Sequence, residues 1–318
     1  SGNATFSVLF NPAVPLGDLI TVTATDASSN TSEFSTAVAV SCNLVVSSLA
    51  NSGPGTLRET IDCANSNPGP DTITFSVAGT INITSQLPDL MDTTGGTLVD
   101  GSSAPGYAGS PVVIVDGPGT LSGLRLTADN NEVRALQIVD FSNGVEITNG
   151  AQGNAVTASY LGTDGTTAVP NFNGILIDGA ANNRIGTDGD GVDDGVEGNV
   201  ISGNTANGVR IINAGATGNV IAGNLIGLDA AGTTAVPNLG QAGIQVLFDG
   251  SGTIIGTDGD GIGDAAEGNV ISGNSSAGIF IQASDAIIAG NIIGLDAAGA
   301  TAVPNVSSPS APFKAGIY

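Results

Sequence analysis

Ile185-Gly186-Thr187-Asp188-Gly189-Asp190-Gly191-Val192-Asp193-Asp194, followed by Gly198-Asn199-Val200-Ile201-Ser202-Gly203-Asn204, is a stretch that this chain uses twice. The same words return as Ile255-Gly256-Thr257-Asp258-Gly259-Asp260-Gly261 and Gly268-Asn269-Val270-Ile271-Ser272-Gly273-Asn274, a separation of 70 residues (255 − 185) in both places. A period that long and that faithful marks a repeat architecture. A shorter phrase, glycine followed by apolar, any residue, apolar, subdivides it. It opens at Gly123, Gly144, Gly174, Gly208, Gly243 and Gly278, and again at Gly316. The first spacing is 21 residues (144 − 123), about what three short strands and three turns require at roughly 3.3 Å per residue. The last is 35 (278 − 243), so the later coils carry inserts.

Two inserts alternate. One is acidic, Thr187 to Glu197 and again Thr257 to Glu267, and follows the second strand of its coil. The other closes on Thr-Ala-Val-Pro-Asn at Asn171 and Asn238, repeats its ending at Ala302-Val303-Pro304-Asn305, and follows the third strand. The 70-residue unit is therefore two coils of a continuous parallel β-helix. Period-two alternation sends Leu124 and Leu126, Val145 and Ile147, Ile175 and Ile177, Val209 and Ile211, Ile244 and Val246, and Ile279 and Ile281 inward. The outward column between them reads Arg125, Glu146, Leu176, Arg210, Gln245, Phe280, Tyr318. Asn204, Asn224, Asn274 and Asn291 each close a Val/Ile-x-Gly-Asn turn and are expected to form an asparagine ladder. Coils about 4.8 Å apart would put successive acidic loops roughly 10 Å apart on one edge.

Composition narrows the partners. Among 318 residues there are 6 Lys plus Arg against 29 Asp plus Glu, a formal net charge of −23. Such a surface repels nucleic acid and anionic membranes, and it repels polyuronate sugars unless cations bridge the two. Hydrophobic residues make up 41% with aromatics at 4%, so the apolar content is aliphatic and suits thin stacked sheets. No apolar run is long enough to insert in a membrane. A chain opening at Ser1 is expected to be a segment of a longer polypeptide.

Three regions precede or make up the coils. Residues 1–41 read as three alternating strands, Ala4 to Phe10, Asp18 to Thr25 and Glu33 to Val40, a partial β-sandwich. Thr21-Val22-Thr23-Ala24-Thr25-Asp26 with Asn30-Thr31-Ser32-Glu33-Phe34-Ser35 resembles the closing strands of bacterial immunoglobulin-like modules. Residues 42–111 carry a strand from Asn43 and then Thr56-Leu57-Arg58-Glu59, a capping box opening a short helix to near Asn65. Ser52-Gly53-Pro54-Gly55-Thr56-Leu57-Arg58-Glu59-Thr60-Ile61, with Pro68-Gly69-Pro70-Asp71-Thr72-Ile73-Thr74-Phe75, resembles the opening segment of bacterial surface proteins with a C-S-L-R-E-A signature. The resemblance implies a right-handed parallel β-helix of pectate-lyase-like shape behind an N-terminal cap. This chain departs from the signature at Gly55-Thr56 and Thr60, and its cysteine lies downstream at Cys63. Residues 112–318 are the coils. The fold class is thus all-β: a right-handed parallel β-helix with a helix-containing cap, preceded by a partial sandwich.

The chemistry is concentrated in the acidic insert. Asp188, Asp190, Asp193, Asp194 and Glu197 form the first set, and Asp258, Asp260, Asp264 and Glu267 the second, with Gly263 where Asp193 stands in the first. Hard oxygen donors on a glycine-rich loop suit Ca²⁺, although the spacing is not that of an EF-hand. Arg184 can neutralise the first set, while its expected counterpart Thr253 cannot serve the second. Cys42 and Cys63 are expected to pair if the protein is exported. There is no histidine, and the outward column holds a single carboxylate, Glu146, beside Arg125. The expectation is therefore a non-enzymatic extracellular or cell-surface protein, structural or adhesive, stiffened by calcium. It would belong to a longer fibre or self-associate head-to-tail or by strand complementation through residues 1–41. The alternatives are a carbohydrate-binding module contacting surface glycans near Phe280 and Tyr318, or a polysaccharide lyase or hydrolase.

Overall fold

The computed structural model describes residues 18–39, 42–247, 250–305 and 316–318. The chain divides into two compact units, Ser1–Asn43 and Leu44–Tyr318. In the first, Leu19–Ile20 pairs antiparallel with Val38–Ala39, and Thr25 bridges Thr31 across a turn. Asp26 pins that turn: its carboxylate accepts from the Asn30 side chain and from the backbone N–H groups of Asn30 and Ser28. Those bonds, led by the Asn30 side chain, hold its pKa below the ordinary carboxylate value. The strand expected over residues 4–10 lies outside the described residues.

The second unit is a right-handed parallel β-helix. Its three parallel sheets have six, nine and eight strands among the described residues. One turn of the chain visits them in that order: Asn143–Ile147 in the six-stranded sheet, Ala155–Thr157 in the nine-stranded, Tyr160–Leu161 in the eight-stranded, then Asn173–Asp178 back in the first. Register follows the sequence phrase, with Val145 opposite both Leu124 and Ile175, and Val209 opposite Ile175 and Ile244. The residues expected inside are there: Leu124, Val145, Ile175, Val209, Ile244 and Ile279 are fully buried, each worth about 1.5–3 kcal/mol before chain entropy is subtracted. Ile281, in the last named strand of the six-stranded sheet, is only half-buried.

The glycine that opens each phrase has a steric reason. A Cβ on Gly123 would sit 2.2 Å from the Gly144 carbonyl oxygen, and one on Gly174 would sit 2.6 Å from that of Gly208. Coils approach at this column too closely for any side chain.

Asparagines close the corners, in three ladders rather than one. Asn131, Asn154, Asn183 and Asn219 form the first, each donating backbone and side-chain N–H to the next Oδ1. Asn199, Asn224, Asn269 and Asn291 form the second. Asn204, Asn238, Asn274 and Asn305 form the third. Of the four ladder residues named from sequence, Asn224 and Asn291 fall in one column and Asn204 and Asn274 in another. The two inserts interrupt different corners, and that separates the columns.

A helix, α1 (Leu57–Ala64), packs against the strands Val45–Val46 and Asp71–Phe75 at the N-terminal end, burying Leu57, Ile61 and Ala64. Thr56 is its N-cap and accepts from Glu59 N, while the Glu59 carboxylate reaches back to Gly55 N rather than to the cap residue itself. Arg58 is fully engaged by the cap. Its guanidinium donates to the carbonyls of Asn51, Ser85 and Gln86 and to the side chains of Asn51 and Ser85. Both cysteines are disulfide-bonded, and with two in the chain Cys42 and Cys63 are each other's partner. No helix of the described residues is long and apolar enough to cross a membrane.

Candidate functional site

The acidic inserts occupy the corner between the nine- and eight-stranded sheets. Each ends in a single helical turn, α2 (Asp194–Glu197) and α3 (Asp264–Glu267). Short Asx turns shape the loops: Asp188 accepts from Asp190 N, Asp190 from Val192 N, and Asp194 from Gly191 N and the Thr187 hydroxyl. The second loop repeats these bonds through Asp258, Asp260 and Asp264. Ligand atoms of Asp188, Asp190 and Asp194 come within 4.8 Å of one another, as do those of Asp258, Asp260 and Asp264, so each triad could hold a metal ion.

Asp193, Glu197 and Glu267 stand outside the triads. Glu197 accepts from Asp188 N and lies 3.7 Å from Arg184, which also lies 3.8 Å from Asp188. Glu267 accepts from Asp258 N and is buried against the first loop. Following the register through Val220, Ile254 replaces Arg184 in the second copy.

The two loops are in contact with each other across the intervening coil, which has no insert at this corner and whose Gly223 N–H donates to the Glu267 carbonyl. This contact explains the one acidic position that the copies do not share. Asp193 and Gly263 both have left-handed φ, at 59° and 64°. A Cβ on Gly263, however, would lie 2.5 Å from the Gly189 carbonyl oxygen and 2.7 Å from the Asp194 carboxylate. Aspartate fits in the first loop and glycine is required in the second.

The alanine-proline inserts are built around one aspartate each. Asp164 accepts from the backbone N–H groups and hydroxyls of Thr166 and Thr167, and these bonds, led by Thr167 N, hold its pKa down to about 2. In Asp229 burial raises the pKa, but bonds from Thr233 and Thr234 outweigh it and the net shift is downward. These aspartates are turn formers.

The outward column of the six-stranded sheet keeps the expected order from Arg125 to Phe280. Its aromatic end is not an open platform. Phe280 is 2% exposed and stacked against Tyr318, with ring centroids 5.4 Å apart and planes 7° apart, so Tyr318 alone of the pair faces outward.

A feature missed in the sequence lies on the other side of the prism. Tyr160 points outward from the eight-stranded sheet into a groove of about 320 Å³. Its lining includes Gly109, Gly195 and Val196 of α2, Asn199, Val200 and Leu225. The Tyr160 hydroxyl lies 3.3 Å from Ser110 Oγ. Tyr107, in the same loop as Gly109, has its pKa raised by burial, against the opposing pull of the Arg134 charge; Asp100 and Tyr160 raise it further. Arg134 ends the strand Glu132–Arg134, opposite Asp100 and Thr157 in register.

Among the described residues, Arg134 is the one arginine with no side-chain hydrogen bond or ion pair. Arg125 and Arg184 are each held by two carboxylates, Arg58 by the cap and Arg210 by Gln245. Asp100 does not engage Arg134 because its carboxylate serves Ser102, accepting from both the backbone N–H and the hydroxyl. Tyr107 thus feels the charges of both Arg134 and Tyr160, although of these three residues Tyr160 alone lines the groove. The one signal in the sequence is rarity, with three tyrosines in 318 residues.

No family model and no curated protein matches the chain. Among solved structures, a crystal structure of an alginate lyase from a Paenibacillus species matches with a TM-score of 0.51 and 15% identity. The match covers 78% of this chain and 75% of that one. The chain shares its fold with an enzyme. The expectation of a non-enzymatic structural or adhesive protein, a filament segment, is corrected by this finding. That expectation follows from the absence of histidine and from the outward column of one sheet, neither of which bears on the corner groove. At this identity the likeness carries the fold; the activity must be argued from the groove.

Proposed function

We propose that this chain is a polysaccharide lyase that cleaves an anionic, uronate-containing polymer by β-elimination in the Tyr160 groove. The observation that carries the reading is the uncommitted Arg134, whose charge acts on Tyr107, itself within electrostatic reach of Tyr160 in the groove. β-Elimination removes the proton next to a carboxylate, breaks the bond to the neighbouring glycosidic oxygen and leaves a C=C bond in the sugar. A free guanidinium suits the carboxylate, which it can bind through two parallel hydrogen bonds, and its charge stabilises the dianion that builds up as the proton leaves. Tyr107, held protonated by burial, suits delivery of a proton to the departing oxygen, and Tyr160 suits removal of the first. The alginate lyase among the structural matches is named for a substrate of this class.

The finer reading of the acidic triads is calcium, supported by hard oxygen donors on glycine-rich loops and by the crowding of like charges. Asp188, Asp190 and Asp194 would hold one ion and Asp258, Asp260 and Asp264 another. Bound Ca²⁺ supplies positive charge beside the α2 wall of the groove, which offsets the repulsion between a −23 protein and a polyuronate. The disulfide supports an extracellular setting.

The reading is tested by incubating the protein with alginate and with polygalacturonate and following the ultraviolet absorbance of unsaturated uronate. Arg134→Ala and Tyr160→Phe are each expected to lower the rate about 100-fold. Absence of unsaturated product from both polymers, or full activity in Arg134→Ala, would overturn it. For calcium, saturating the triads is expected to raise the melting temperature by about 5 °C over chelated protein, as a ligand at 100 times its Kd adds about 2.7 kcal/mol. A melting temperature indifferent to chelation rules calcium out.

A further inference from the structure

We propose that a second carbohydrate site lies on the outer face of the six-stranded sheet, around Arg125, and that it takes an uncharged oligosaccharide. It is separate from the Tyr160 groove and does not depend on lyase activity, since the two faces belong to different sheets of the prism.

The site is a cavity of about 540 Å³, within the range of small-ligand sites and large enough for roughly one or two pyranose rings. At its centre Arg125 donates to both carboxylate oxygens of Asp89, at 3.0 and 3.1 Å, and its Nε lies 3.7 Å from Glu146. Glu146 in turn accepts from the Ser122 hydroxyl, which fixes it from behind. Thr127 and Thr148, the residues that follow Leu126 and Ile147 on adjacent coils, line one side. Met91, 58% exposed, supplies an apolar surface on the other.

The charge balance selects the ligand. One guanidinium between two carboxylates leaves the cluster net negative, and the whole protein is strongly acidic, so an anionic sugar would have to displace Asp89 from Arg125. A neutral sugar displaces nothing. Its hydroxyls can donate to the spare lone pairs of Asp89 and accept from the remaining Arg125 N–H groups and from the threonine hydroxyls that line the cavity. The C–H face of a pyranose then lies against Met91. Arg125 is already ordered by its two carboxylates, so binding costs little side-chain entropy. The sequence reading put sugar contact at the aromatic end of this same column; burial of Phe280 moves it to the opposite end.

The experiment is isothermal titration of the intact chain with uncharged glucose-, mannose- and galactose-based oligosaccharides, with uronate oligomers and with a simple polyamine in parallel. Saturable binding of at least one neutral oligosaccharide is expected, weakened tenfold or more by Asp89→Asn and by Thr148→Val and unchanged by Arg134→Ala. Circular dichroism of both surface variants checks that they fold. Binding of none of the neutral sugars, binding of only the uronate or only the amine, or loss of neutral-sugar binding in Arg134→Ala in place of Asp89→Asn would each overturn the proposal.

Discussion

Asn224→Ala is expected to destabilise the β-helix by about 4 kcal/mol, the largest effect of any single polar substitution in the coils. Asn224 is fully buried. Its Oδ1 accepts from Asn199 N at 3.0 Å and from Asn199 Nδ2 at 2.9 Å. Its Nδ2 donates to the carbonyls of Ile185 and Ala222, at 2.8 and 2.9 Å. Truncation removes a bond from each of four buried groups; Asn199 Nδ2 keeps the Val156 carbonyl and the Ala222 carbonyl keeps Thr187 N, so the cost falls mainly on Asn199 N and the Ile185 carbonyl, at about 1–3 kcal/mol each. A stack of coils is held by nearest-neighbour contacts, so the loss falls between two coils and not evenly over the molecule. Urea unfolding is therefore expected to shift to a lower midpoint and to broaden, as the coils on either side of Asn224 become partly independent. Asn224→Asp, which keeps the shape but replaces two donors with a buried charge, is expected to be worse. A loss under about 1 kcal/mol in the alanine variant would show that the ladder is incidental to stability.

Arg58→Ala is expected to cost about 3 kcal/mol and to act at the N-terminal cap alone. The guanidinium is the common partner of residues 51, 85 and 86, which no other side chain brings together. Its removal strips part-buried carbonyls of charge-assisted bonds worth about 1.5–3 kcal/mol each before relaxation. Arg58→Lys is expected to recover little, since an ammonium cannot reach in the plane of a guanidinium fork. The distinguishing measurement is hydrogen exchange: amides of α1 and of Asp71–Phe75 should lose protection while those near Ile244 keep it. Uniform loss along the rod would refute a local cap.

Regular parts of this protein were legible because a parallel β-helix writes one rule many times. Gly174-Ile175-Leu176-Ile177 and its copies place a glycine at the close approach, two aliphatics inside and one residue outside, and register between coils follows from that phrase. The acidic corner was legible as composition, but its ligand geometry was not. Which carboxylates meet depends on how each loop folds, with Asp188, Asp190 and Asp194 converging while Asp193 and Glu197 lie outside that group, and the contact between the loops makes Gly263 obligatory. Arg58 was visible as part of a resembling segment, without any sign that its role is to bind carbonyls.

The Tyr160 groove was illegible for a different reason. Tyr107, Arg134 and Tyr160 lie on separate turns of the chain, in no repeated spacing, and none belongs to the phrase. By itself the sequence determined the coil count, the inward faces, the alternation of corner inserts and the acidic character of the surface. All of these are local or periodic properties, fixed by alternation at two residues and by turn chemistry. Only the tertiary structure decided which side chains remain uncommitted once every corner is closed. That is a matter of which partners are already taken: Asp100 by Ser102, Arg125 by Asp89 and Glu146, Phe280 by Tyr318. What is left over, Arg134 among the described residues, is where the chemistry has been placed.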